Sequence, residues 1–282
     1  MKKLKKLIKF CIETASRKVT IILIAISLVF FAIIIFLDYS NIDFIFKLKN
    51  ETLKNILIGL FTNLIGIIIT ISFVEYLFYK QNEKKEKENE IKTIKEYDII
   101  LSIFIEEYIK YYKCITTPSL ERTKEKTLKV DFKFEDMCDL YEKSLYVDAD
   151  LFKPAITLFY DAEEKVRNYM IREIENIEFK YHNKLKNIFI EFIKSSLNND
   201  MRSIILGYIN IKFGDNKAIS DIQKDIKDNS KHNWVDKFDK NELGSNLMLP
   251  YVILYKLLHK EIDLIFTYKN FIKNLDNSHN KK

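Results

Sequence analysis

The chain has 282 residues, a formal net charge of +6, five glycines and three prolines. So few breakers exclude an all-β fold with its many turns and the glycine-rich crossings of a dinucleotide-binding sheet, and they predict an all-α protein. The surplus charge sits in residues 1–18, where Lys2, Lys3, Lys5, Lys6, Lys9, Arg17 and Lys18 oppose only Glu13. The remainder is near neutral and lacks the footprint that phosphate-backbone binding requires, which argues against nucleic acid as a partner.

Taken in chain order, the first predicted element runs from Val19 to Leu37, an uncharged stretch rich in Ile, Leu, Val and Phe. Its length suits a bilayer crossing and exceeds the roughly 7–15 residues of a cleaved signal's apolar region; no small-residue cleavage site follows it. A second apolar stretch spans Leu57 to Leu77, with Glu75 placed to reach water at its cytoplasmic end. Cations flank the pair on one side only, the tail before the first and Lys80, Lys84, Lys85 and Lys87 after the second. The intervening loop is balanced, with Lys47, Lys49 and Lys54 against Asp38, Asp43 and Glu51. The positive-inside rule then puts both termini in the cytoplasm, and the tail against anionic lipid headgroups. The expected organisation is a basic tail (1–18), a transmembrane hairpin (19–79) in the cytoplasmic membrane, a helical stalk (80–116) and a cytoplasmic helical domain (117–282).

The second span carries small and polar residues on one side. At 100° per residue Gly59, Thr62, Asn63, Gly66 and Thr70 fall within an arc of about 100°. Such a face either packs against the first span, with Asn63 bonding backbone or Ser27, or serves self-association and a polar lining opened on oligomerisation.

Beyond the charged stretch 80–93, read as a solvated helical face, an apolar stripe of Ile94, Leu101, Phe104, Ile105, Tyr108, Tyr112 and Ile115 predicts a helix ended by Thr116-Thr117-Pro118-Ser119. Residues 119–133 read as a loop and 134–144 as a short helix. Asp150 is the expected N-cap of the next helix, with Pro154 in its first turn, rather than half of a metal-binding D-x-D. Residues 151–197 form one very long helix or two with a bend near 178–184. Further helices are expected at 200–213 (closed by Gly214), 217–227 and from Pro250 to about Leu275. Together they suit a helical bundle or an antiparallel coiled-coil-like domain. Trp234, in the irregular stretch 228–249, is a possible partner contact or a loop anchor.

No catalytic motif is present. Gly207, Gly214 and Gly244 build neither a P-loop nor GxGxxG; His182, His232, His259 and His279 form no HExxH pair; no G-x-S-x-G elbow exists. Arg122, Arg167, Arg172 and Arg202 lack the following histidine of helical HEPN ribonucleases, and Glu178-Phe179-Lys180 lies in a helical pattern rather than at a strand end. Asp161, Glu163 and Glu164 read as a solvated helix face. Cys11, Cys114 and Cys138 have no C-x-x-C spacing and read as reduced thiols. No cofactor or metal is expected.

In layout, over residues 1 to about 90, the chain resembles the two-span membrane effectors of bacterial anti-phage systems. The resemblance implies a cytoplasmic domain that is switched on and spans that then damage the membrane. The expected function is therefore a membrane-anchored, non-enzymatic helical protein whose cytoplasmic domain binds a partner protein or forms a homo-oligomer and acts through its spans. The alternatives are a passive anchor or scaffold, and a membrane-tethered enzyme whose site assembles only in the fold.

Overall fold

The computed structural model describes residues 17–39, 50–122, 128–144, 153–210, 216–229, 235 and 247–279. These are all-α: α1 (Arg17–Tyr39), α2 (Asn50–Ile115), a 3-10 helix (Phe134–Asp139), α3 (Ala155–Asn176), α4 (Asn183–Asn198), α5 (Arg202–Asn210), α6 (Asn216–Asn229) and α7 (Leu249–His279). Among the described residues the only β-type pairing is one isolated bridge between Lys143 and Pro154. The chain divides into two compact units, 1–86 and 87–282. The division falls inside α2, so residues 87–115 belong to the second unit.

In the first unit, α2 is long and apolar enough to cross a membrane, and its apolar window is not buried within the chain. The described side chains of α1 supply a shorter apolar run, Ile22–Phe36. Each helix has one partly shielded stripe at three- and four-residue spacing: Leu23, Ser27, Phe30 and Ile34 on α1, and Leu57, Phe61, Leu64, Ile68 and Ile71 on α2. That spacing is the seam of paired helices. The rings of Phe31 and Phe61 stack with centroids 5.6 Å apart. Away from the seam, apolar side chains such as Ile69 and Phe78 stay exposed. Exposed apolar side chains in this number mark an interaction surface.

In the second unit, α2 contributes Ile94, Leu101, Ile105, Tyr108 and Tyr112 to a core completed by Phe159, Val166, Phe189, Phe192, Leu254, Leu258 and Ile265. α2 ends where expected: Thr116 N–H and Oγ1 both donate to the Tyr112 carbonyl, at 3.0 and 2.9 Å. The 134–144 helix is a single 3-10 segment, Phe134–Asp139. The long stretch 151–197 is two helices, broken at 177–182. Ile177 leaves α3 in extended conformation, and Phe179 takes φ 52° with its ring fully buried. An aromatic residue in the left-handed region costs on the order of 1 kcal/mol, which burial of the ring offsets. Glu178-Phe179-Lys180 thus lies in this break and not within a helix. α3 begins at Ala155 with Pro154 at the capping position, with no side-chain cap, so the helix does not start from Asp150. Asp148, Asp150, Gly214 and Trp234 lie outside the described residues, and α5 ends at Asn210.

Candidate functional site

Two arrangements stand out, one in each unit. In the first unit the arc residues Gly59, Thr62, Asn63, Gly66 and Thr70 are all exposed. The shielded seam on α2 lies roughly 120–200° around the helix from Gly59. The arc therefore points away from α1, and it does not form the contact with the first helix that the sequence allowed. Ser27, the expected partner of Asn63, instead donates its hydroxyl to the Ile24 carbonyl at 2.9 Å. Thr62 and Thr70 turn back on their own helix, donating to Ile58 and Gly66 carbonyls at 2.8 and 2.9 Å. These internal bonds let hydroxyls sit in an apolar setting at little cost. Among the described residues Asn63 alone of the arc's polar side chains has no hydrogen-bond partner. A Cβ added at Gly59 or Gly66 would meet nothing within 4 Å, and an open notch of about 540 Å³ lies over Gly66, lined by Thr62, Asn63, Ile67, Thr70 and Ile71.

In the second unit the unexpected feature is a set of acids at core positions. On α3 the stripe Ile156, Phe159, Val166, Met170 and Ile177 is completed at its three- and four-residue spacing by Glu163 and Glu173, both buried. On α7, Leu254, Leu258, Ile265 and Tyr268 are completed by Glu261, which is fully buried. On α2, Asp98 stands between Ile94 and Leu101. Glu163 is therefore no solvated face, although Asp161 is exposed and Glu164 half-exposed.

Glu163 is the best partnered of these acids. Arg167 Nη1 donates to both its oxygens at 3.2 and 3.3 Å and to Ser196 Oγ at 2.6 Å, and Ser196 in turn donates to Glu163. Arg202 from α5 reaches Glu163 at 3.1 Å, Glu164 and the Tyr160 carbonyl, its guanidinium lying over the Tyr160 ring. Burial pushes the Glu163 carboxyl up, opposed by the Ser196 hydroxyl and the two guanidiniums. Glu261 accepts from Tyr108 of α2 at 2.9 Å, while its other oxygen has no partner. Burial, then the nearby Glu163 charge, holds its carboxyl well above the usual carboxylate range.

A second layer joins the same helices. Tyr268 of α7 and Ser102 both donate to Asp98 Oδ1, at 2.5 and 3.0 Å. Glu173 of α3 faces this pair with one oxygen unpartnered, and burial followed by the Asp98 charge pushes it up to about 8. At the near end of the unit, the Glu90 carboxylate accepts from the backbone N–H groups of Tyr181 and His182, each at 3.0 Å, with His182 Nδ1 2.9 Å away. Glu90 thereby caps α4 from another helix.

Sequence reading found the arc and missed the buried acids. The available signal was the place of Glu163, Glu173 and Glu261 in the three- and four-residue repeat of their helices. No cluster of His, Cys, Asp and Glu fit to hold a metal occurs among the described residues. His182 is bound to Glu90, and His259 stacks on Phe132 with centroids 4.3 Å apart. No protein-family model, curated protein or solved structure matches this chain.

Proposed function

We propose that this is a membrane-anchored, non-enzymatic protein in which α1 and α2 form a two-span hairpin in the cytoplasmic membrane, both termini lying in the cytoplasm. Its helical second unit binds a partner or a second copy, and the hairpin perturbs the membrane in response. The observation that carries this reading is the arc from Gly59 to Thr70. It is a strip of glycines and hydroxyls around a lone amide, set in an exposed apolar helix and turned away from the only other described helix of its unit. An unpartnered amide in hydrocarbon is costly, and a neighbouring copy of α2 supplies both the partner for Asn63 and a backbone that fits the notch at Gly66. The Thr62 and Thr70 hydroxyls already bond their own helix, which leaves that contact to the amide.

Expression in bacterial cells with a potential-sensitive dye tests it. The intact chain collapses the membrane potential, whereas Asn63→Leu and Gly66→Leu insert equally well, judged by carbonate extraction, and leave the potential intact. A chain that leaves the potential unchanged at every level of expression, or variants that depolarise as well as the parent, would make the hairpin a passive anchor. Reporter fusions at the C-terminus check the topology: activity from an enzyme that works only outside the cytoplasm refutes it.

A further inference from the structure

Within the second unit the core residues Ile94, Leu101, Ile105 and Tyr108 take one side of α2. The opposite side is not uniformly polar: Ile99, Ile100 and Ile103 stand there 67, 45 and 60% exposed. The unit's other exposed apolar side chains, Leu120, Leu197, Ile204 and Leu247, come one each from separate segments, which is the ordinary scatter of a protein surface. At 100° per residue Lys92, Glu96, Ile99, Ile103, Glu106 and Lys110 fall within an arc of about 80°, with Ile100 at its edge. Lys92, Ile99 and Glu106 are spaced by sevens, as are Glu96, Ile103 and Lys110. These two sets alternate at threes and fours, the inward positions of a heptad seam.

We infer that this face of α2 pairs with the same face of a second copy, the two helices running parallel and in register from Lys92 to Lys110. The direction rests on the membrane anchoring proposed above, since copies held in one bilayer send α2 out the same way. Charge complementarity selects a second copy as the occupant. In parallel knobs-into-holes packing each inward side chain enters a hole of four on the facing helix. Ile99 then meets the partner's Ile99, the partner's Ile100 and the partner's Ile103, so the exposed isoleucines cover one another. Glu96 falls beside the partner's Lys92 and the partner's Lys95, and Glu106 beside the partner's Lys110. Within one copy Lys92 lies 3.8 Å from Glu96 with both side chains exposed, so neither is shut away from a partner. An antiparallel pairing centred on the isoleucines instead sets Glu96 against the partner's Glu106 and Lys92 against the partner's Lys110, like charge on like. The isoleucines leave on the order of 300 Å² of apolar surface per copy, so a pair falls below the roughly 1,200 Å² of stable interfaces. Free copies therefore pair weakly, and confinement to one membrane raises their effective concentration enough to close the seam.

Disulfide trapping of the full chain in native membranes tests the seam. In a Cys11→Ser background, with the buried Cys114 and Cys138 left in place, single substitutions Lys92→Cys, Ile99→Cys, Ile103→Cys and Lys110→Cys each give a covalent dimer under mild oxidant. The yield is at least about tenfold that of Glu175→Cys on α3 or Lys194→Cys on α4, both exposed. Lys92→Cys and Lys110→Cys fix the direction, because antiparallel helices hold each of these about 27 Å from its counterpart. Glu96→Lys lowers the Ile103→Cys yield, and adding Lys92→Glu restores it. No dimer at positions 99 and 103, or as much at the control positions, overturns the inference. So does trapping at 99 and 103 without trapping at 92 and 110, and so does an adduct of any mass other than a dimer, which means that another protein covers the face. Membrane potential is not a readout here: a trapped chain that leaves the potential intact removes the proposed membrane output and leaves the seam standing.

Discussion

Replacing Arg167 by methionine probes the buried ion network most directly. Methionine matches the aliphatic stem of arginine but removes the Nη1 that serves both Glu163 oxygens and Ser196. Losing one partner of a buried pair costs about 3–5 kcal/mol. Arg202, still 3.1 Å from Glu163, keeps part of the compensation and places the expected loss near the lower end. For a unit of this size about 3 kcal/mol corresponds to a fall in Tm of about 6–12 °C. The companion variant Glu163→Gln removes the charge that Arg167 neutralises. In the double variant no unpaired anion remains, so its cost is less than the sum of the singles by about 1–3 kcal/mol. Thermal and urea unfolding of the solubilised protein, followed by helix signal, measures all four corners of the cycle. If Arg167→Met lowers Tm by no more than a surface substitution does, or if the two changes simply add, Glu163 and Arg167 do not form a buried pair.

Three further outcomes follow from the same geometry. Glu173 has a folded-state value of about 8 against an ordinary 4.5. The folded protein thus holds a proton that the unfolded chain releases, and stability present below about pH 4.5 drains away as pH rises through about 8. Glu173→Gln should therefore be neutral near pH 4 and more stable than the parent by about 3 kcal/mol at pH 7, with a flatter pH–stability curve as the readout. Burial pushes the Cys114 and Cys138 thiols up to about 11. In a Cys11→Ser background, labelling at pH 8 should be at least about a hundredfold slower in the folded chain than in denaturant, because the thiolate is the reacting form. Rapid labelling in the native state would contradict their burial. Glu90→Ala deletes the cap at the start of α4 and should cost about 1–2 kcal/mol, with amide exchange rising first at Tyr181 and His182. Unchanged exchange at those two amides would mean that the cap contributes nothing.

Much of the helical content was legible because local periodicity encodes it. The stripe from Ile94 to Ile115, the Thr-Thr-Pro stop and the last helix near Pro250 each follow from spacing within one segment. The arc was legible too, as a matter of angle on a single helix. Its orientation was not: whether Gly66 faces the first helix or away from it depends on which side of α2 the Phe31–Phe61 contact seats. The break at 177–182 contains neither glycine nor proline. It is held by the buried Phe179 ring and by Glu90, a carboxylate 91 residues earlier than the Tyr181 amide it accepts from.

The sequence by itself determined that the described residues are all-α, that two stretches near its start are apolar, and that one face of the second is small and polar. Tertiary structure alone decided the fate of the acids. Judged singly, a glutamate on a helix belongs in water, since ionised burial is prohibitive. Glu163 is admitted to the interior by guanidiniums that arrive from its own helix and from α5, while burial raises the carboxyls of Glu173 and Glu261 toward the neutral form. Arg167 is an i,i+4 neighbour that spacing makes visible, but Ser196, Arg202 and Tyr108 reach these acids only through the fold.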